Sequence, residues 1–330
     1  MKKVYLLLYL VVHCFLKTDG QVHVGSNESY GSGNGGKITD EDYTMLQQST
    51  TIFVVREKDS ASIPVFKDVI GAVWTYTPFK ILTASVAEEF LNKKGFSFFT
   101  FVSHSSTGGI SNNPLRANTV QYNAYELWMP KFHEHGRSPS KKRELFGRFF
   151  LQRNNYDQAI SLIEEGEVVR SFYDRNKGGV KTLQSFYTSD LFAHWGPGLI
   201  KGSIKTINDF LVARKLMNPA RDNTFASLTP LKQDTLFIAC SEQENKVVED
   251  LSTEQKYPFR IAYITPDALD TMIAKRHQSF HYLLLTYINT GHRYISVFEG
   301  PSAKLLYTDC SIIHSSLKKR DLERLAQLVK

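Results

Sequence analysis

Cysteine is scarce in this chain: of 330 residues only Cys14, Cys240 and Cys310 are cysteines, and none forms a redox CxxC motif. A catalytic thiol needs a partnering histidine and a depressed pKa, and the sequence argues for neither. Equally missing are a GxSxG elbow, a P-loop, a dinucleotide fingerprint, an EF-hand and HExxH, so no cofactor is implied. Long apolar runs are lacking too. The only sizeable one covers residues 4–16, short of the roughly 20 residues that a membrane-spanning helix needs. Charge is not heavily one-sided, at a formal +7, and the aromatic-plus-basic signatures of RNA-binding folds are absent.

What is present begins with a leader. Lys2-Lys3, the apolar run and Lys17-Thr18-Asp19-Gly20 read as a secretory signal peptide over residues 1–20, cleaved after Gly20. The rival reading is lipidation at Cys14, against which stands His13 where a lipobox carries a small residue. Export implies a periplasmic, surface or secreted location, where nucleic acid is a poor partner. The glycines at 25, 31, 33, 35 and 36, set among Ser and Asn, point to a flexible tether over residues 21–46. A phosphate-binding glycine loop would need a strand before it and a helix after it, and neither is expected here. The remaining chain is long enough for two domains, and a hydrophobic content of 42% with 12% aromatics excludes disorder beyond the tether.

The strongest signal is self-similarity. Thr51-Ile52-Phe53-Val54-Val55 returns as Thr235-Leu236-Phe237-Ile238-Ala239, and Pro78-Phe79-Lys80-Ile81 as Pro258-Phe259-Arg260-Ile261. Phe96-Ser97-Phe98-Phe99-Thr100-Phe101 is echoed by Phe280-His281-Tyr282-Leu283-Leu284-Leu285. Each copy reads as strand, helix, strand, helix, then a strand hairpin, with a closing helix. The fold class is therefore α/β (α+β): two tandem β-α-β-α-β-β(-β)-α units with mixed sheets, separated by a helical insertion. In domain terms, a first repeat with the insertion covers 47–218, a linker 219–233 and a second repeat 234–330. The insertion is expected to carry helix over 138–166 and, after Trp195-Gly196-Pro197-Gly198, over 199–217. Val86, Phe90 and Leu91 are expected inward on the second helix of the first copy.

Few residues stand out as site candidates. Glu126 and Trp128 share one face of a strand, and Glu126 matters if that face is covered. His194 and Trp195 sit at a helix start, where free N–H groups favour anions, although a large aromatic there also serves packing. Cys240 and Cys310 both lie at strand ends in the second copy and can pair in an oxidising compartment. His104-Ser105-Ser106-Thr107-Gly108-Gly109 reads as a lengthened strand connection, and His133-Glu134-His135 as an exposed loop rather than a metal site. Two basic runs, Lys141-Lys142-Arg143 and Lys318-Lys319-Arg320, fall at expected helix starts, where they oppose the helix dipole.

The first strand, Val73-Trp74-Thr75-Tyr76-Thr77-Pro78-Phe79, Glu126-Leu127-Trp128-Met129 and Trp195-Gly196-Pro197-Gly198 together resemble an uncharacterised exported α/β-repeat family of Bacteroidota. That resemblance implies a compartment and no chemistry. The order of strands and helices also looks like amino-terminal domains of periplasmic Tol proteins and of lipoprotein activators of cell-wall synthases, at the level of fold alone. The expectation is a non-catalytic binding or accessory protein engaging an envelope protein or a cell-wall or surface polymer. An enzyme with a site between the repeats and a structural envelope component are the alternatives. The sequence leaves the oligomeric state open.

Overall fold

The computed structural model describes residues 21–26, 36–108, 118–132, 139–152, 192, 194–217, 225–239, 257, 259–275, 278–289, 292–311 and 317–329. A short strand, Val22–Val24 (β1), and a helix, Asp40–Gln47 (α1), precede the first repeat. The repeat opens with Thr50–Val55 (β2), whose unbroken β-formers are buried on both faces, as a continuous apolar run requires. Helix Ile63–Gly71 (α2) buries Phe66, Val69 and Ile70 and leads to Phe79–Thr83 (β3). A single turn, Ala84–Ala87 (α3), returns the chain to Phe96–Gly108 (β4). β2 pairs in parallel with β3 and with β4. The antiparallel strands Asn118–Phe132 (β5) and Pro139–Leu151 (β6) extend the sheet, and β1 closes its edge against β6, giving the order β1-β6-β5-β4-β2-β3.

After Pro197–Val212 (α4), the second repeat supplies Thr235–Ala239 (β7), Arg260–Ile264 (β8), Pro266–Lys275 (α5), His281–Asn289 (β9), His292–Glu299 (β10), Lys304–Ser311 (β11) and Lys319–Leu328 (α6). Its sheet runs β11-β10-β9-β7-β8, with β7 parallel to both neighbours. Without β1, the first sheet has the same arrangement: the repeat's opening strand lies between its second and third, and a meander follows. The registers differ by one residue, since Thr51 pairs with Ser97 but Leu236 with His281. In the first copy Thr51, Ser97 and Thr77 form one buried hydroxyl cluster, with Oγ–Oγ distances of 2.6 and 2.9 Å.

Several expectations need correction. Residues 139–151 form β6 rather than the start of a helical insertion. Leu145 and Phe149 have helical spacing, but Phe146, Phe150 and Leu151 are buried as well. A segment apolar on both faces is better served between β5 and β1 than as a one-sided helix. Lys141-Lys142-Arg143 therefore lies on a strand. The tether expected over 21–46 instead contains β1 and α1 at its two ends: Val22 and Val24 find an open sheet edge, and a Thr39–Asp42 capping box starts α1. Residues 27–35 lie outside the described residues. The linker buries Leu228 and Leu231 beneath the second sheet, and Val86 points outward, because α3 is too short to present a full stripe. Residues 153–191 and 240–256 also lie outside the described residues.

One hydrophobic core runs from the first sheet through α4 into the second, taking in Phe53, Trp128, Ile204, Ile207, Tyr282 and Phe298. A second core lies beneath α6. Most of α4 is buried, including Leu199, Ile200, Ile204, Ile207 and Leu211, at about 1.5–3 kcal/mol for each such side chain. Gly202 leaves room for Phe298 and Tyr282, while Gly147 on β6 leaves room for Ile207. Asn208 of α4 accepts from the amides of Thr75 and Tyr76 at 2.8 and 3.0 Å, tying the helix to the turn before β3. The two repeats are thus joined by a shared helix, with Gln21–Thr286 and Gln152–Tyr287 hydrogen bonds and the Phe150–Tyr294 stack beside it.

Candidate functional site

The start of α4 is where sequence singled out His194 and Trp195. Pro197 fits the first turn because its missing N–H would be unpaired there anyway. Gly196 offers no side chain to cap the exposed amides, and Asp270 of α5 supplies the cap instead. Its Oδ1 accepts from the Leu199 amide at 3.0 Å, and the Gly198 amide also donates to it. A Cβ on Gly196 would lie 2.1 Å from Asp270 Oδ1, and one on Gly198 would lie 2.2 Å from the Asp270 carbonyl oxygen. Both glycines are therefore fixed by the closeness of α5. Burial pushes the Asp270 carboxyl up from its usual range, and the two amides oppose that shift. The anion expected at this helix start is the protein's own carboxylate.

Trp195 is held from the other side. Its indole N–H donates to Asp59 Oδ2 at 2.8 Å, and Arg56 grips the same carboxylate through Nε at 2.6 Å and Nη2 at 2.8 Å. The ring sits among Phe66, Phe101 and Tyr125, with centroids 4.4–5.8 Å away. Arg56 and Asp59 follow β2 directly, at the carboxyl end of the parallel strands, where open α/β sheets commonly bind ligands. His194 is buried, and its Nδ1 has no hydrogen-bond partner among the described residues. Burial lowers its pKa to about 4, so it is neutral at pH 7.

Glu126 and Trp128 lie on the opposite face of β5. Trp195 touches Tyr125, and adjacent residues of a strand face opposite sides. The four candidates therefore form two separate clusters. Glu126 is fully buried, 2.8 Å from Arg143 and 3.5 Å from Arg148. It belongs to a row crossing four strands, His23–Arg148–Glu126–Thr100, set by the pairing of β1, β6, β5 and β4. Trp128 donates to Thr100 Oγ1 at 2.7 Å. Burial lowers His23 to a pKa of about 3, helped by Arg148 and opposed by Glu126. Each carboxylate in these clusters already answers a neighbouring cation or amide.

Strand and helix do flank the glycine-rich stretch, contrary to expectation, but α1 begins with its own cap, Thr39 to Asp42, and an acidic first turn of Asp40, Glu41 and Asp42. That turn repels a phosphate. His104 to Gly108 continue β4, whereas Gly109 and His133-Glu134-His135 lie outside the described residues. So does Cys240; Cys310 is half-buried on β11. Sequence reasoning missed Asp270, the Arg56–Asp59 pair, His281 with Asp234 at 3.0 Å, and Arg293 with Asp321. Arg56 and Asp59 are a local i,i+3 pair in no named motif, and the other pairs join residues far apart in sequence, which no periodicity marks. Among the described residues no His, Cys, Asp and Glu group is arranged to hold a metal, and no helix is long and apolar enough to cross a membrane. The chain matches no family model, no curated protein and no solved structure.

Proposed function

We propose that this chain is a non-catalytic binding or accessory protein of a bacterial envelope, exported by its first 20 residues, and that it engages an envelope protein or polymer. The observation that carries this reading is how its buried polar groups are used. Asp270 caps α4, Asp59 holds Trp195 and Arg56, and Glu126 answers Arg143 and Arg148. The first contact ties the second repeat to α4, the second ties the start of α4 to the first repeat, and the third braces the first sheet, so the chemistry of these groups serves the support. The resemblance to exported Bacteroidota proteins agrees with this reading. A rigid support with little internal freedom loses little entropy on binding a partner.

Co-sedimentation with washed envelope fractions tests it, polymer and membrane proteins being separated. Saturable retention on one fraction, competed by unlabelled protein, is the expected result. Protein that stays in the supernatant with both fractions at every loading refutes the proposal.

A further inference from the structure

At the amino end of β3 and β4, away from Arg56 and Asp59, three lysines stand over two phenylalanine rings. Lys80 Nζ lies 5.3 Å and Lys93 Nζ 4.6 Å from the Phe90 centroid, and Lys94 Nζ lies 5.6 Å from the Phe132 centroid. Phe96 meets Phe90 edge to face at 5.0 Å. Local structure explains the grouping. Glu88–Phe90 makes a last turn after α3, and Gly95, left-handed at φ +84°, redirects the chain into β4. Lys93 is thereby left on Phe90, and Lys94 on Phe132 at the end of β5. All three lysines are exposed, and none forms an ion pair among the described residues. Glu89 stands four residues before Lys93, the helical spacing at which the two charges pair, yet the ammonium lies over the ring. An exposed contact between a cation and a ring is worth only about 0.5–1 kcal/mol. What it adds is order: the long side chains are already held, so less freedom is lost when a partner arrives. Nothing lies within 4 Å of the position a side chain on Gly95 would take, so the ground beside the turn is open.

We propose that this rim of the first sheet binds an acidic polysaccharide, a sugar chain that carries carboxylate groups. The inference rests on the binding-protein reading and names the class of its partner. Ammoniums fixed over rings meet acid groups on the side away from the ring. The half-buried Phe90, Phe96 and Phe132 offer apolar surface to the C–H faces of the sugars, which an acidic peptide backbone lacks. Glu88 and Glu89 are exposed on the same turn. A flat anionic bilayer laid on the lysines meets those two carboxylates as well, whereas a narrow chain passes beside them.

The test is affinity electrophoresis of the whole chain in gels holding polygalacturonate, with dextran as the neutral control. Polyglutamate and phosphatidylglycerol vesicles stand for the peptide and the membrane. Saturable retardation by polygalacturonate and none by dextran is expected. The triple Lys80→Gln, Lys93→Gln, Lys94→Gln should weaken it about tenfold, or 1.4 kcal/mol, with an unchanged unfolding midpoint. The triple Lys215→Gln, Lys232→Gln, Lys304→Gln removes the same charge from exposed positions elsewhere and should leave binding as it is. Equal losses in the two triples, or stronger binding to polyglutamate or vesicles, overturn the proposal. If the first triple does not fold, Lys93→Gln with Lys94→Gln decides, and wild-type affinity in that variant overturns the site. A chain that ignores polygalacturonate yet still sediments with an envelope fraction refutes this site and leaves the binding reading standing.

Discussion

Replacing Gly198 by alanine tests whether α4 and α5 are locked together as closely as the geometry says. The new Cβ would meet the Asp270 carbonyl oxygen at 2.2 Å and the Ala274 amide nitrogen at 3.2 Å. Both are backbone atoms, so no rotamer change relieves the contact. Ordinary van der Waals contact begins near 3.4 Å, and the helices must therefore part by more than an ångström. That movement stretches the 3.0 Å bond from the Leu199 amide to Asp270 beyond hydrogen-bond range. Overpacking costs about 1–3 kcal/mol and a lost cap about 0.5–2. The better helix propensity of alanine returns at most about 1 kcal/mol. The expected net loss is about 2–4 kcal/mol. It is read as a lower midpoint in guanidinium unfolding followed by circular dichroism, with the slope unchanged. A loss below about 0.5 kcal/mol would show that α5 is free to move aside, and the account of Trp195-Gly196-Pro197-Gly198 would fail.

Gly95→Ala is the contrasting case: φ is +84° with nothing within 4 Å of the new Cβ, so only backbone strain is added. A loss of about 1–2 kcal/mol is expected, and a neutral result would refute the strain argument. Glu126→Gln leaves Arg143 and Arg148 facing a neutral amide in a fully buried site; the expected cost in equilibrium unfolding is about 3 kcal/mol, and no change would mean that the row is not held by charge. His23 and His194 have folded pKa values of about 3 and 4, below the unfolded value of 6.5, so they contribute stability that is present above pH 6.5 and lost as the pH falls. Each adds a slope of about 1.4 kcal/mol per pH unit between the unfolded and folded values. His194→Phe should remove its share, and an unchanged pH profile would count against burial as the cause. Asp270 works in the opposite sense: its raised carboxyl is less costly when protonated, so Asp270→Asn, keeping the acceptor, should equal or exceed wild type at pH 7 in thermal unfolding. A marked loss in that variant would show the charge itself to be the useful part of the cap.

The duplication was legible because its strands are short segments rich in apolar β-formers: 51–55, 79–82 and 96–101 and their echoes all became strands in matching order. The helix at 63–71 was equally plain from Phe66, Val69 and Ile70. β6 was not, since Leu145 and Phe149 happen to have helical spacing and only tertiary pairing reveals that Phe146 and Phe150 need burial too. β1 escaped because three residues carry too little pattern to outweigh the glycines beside them. Of the candidate residues, Glu126 and Trp128 were placed correctly on one face, yet what they contact was invisible. Arg143 precedes the β6 bulge and Arg148 follows it, so their convergence on Glu126 is set by pairing register. Asp270 gave no signal at all, because the groups it caps are 71 residues away.

β1 also constrains the order in which this protein can be completed. Its three residues pair with Phe149, Arg148 and Gly147, Val24 bridges to Met217, and the neighbouring Gln21 donates to Thr286 at 2.8 Å. β1 must wait for β6 and Met217, and the Gln21 side chain for Thr286, 265 positions later. Contacts of such sequence separation slow folding. β1 can therefore settle only after β6 is in place, and a chain that loses residues 22–24 leaves the β6 edge open to pairing with other molecules.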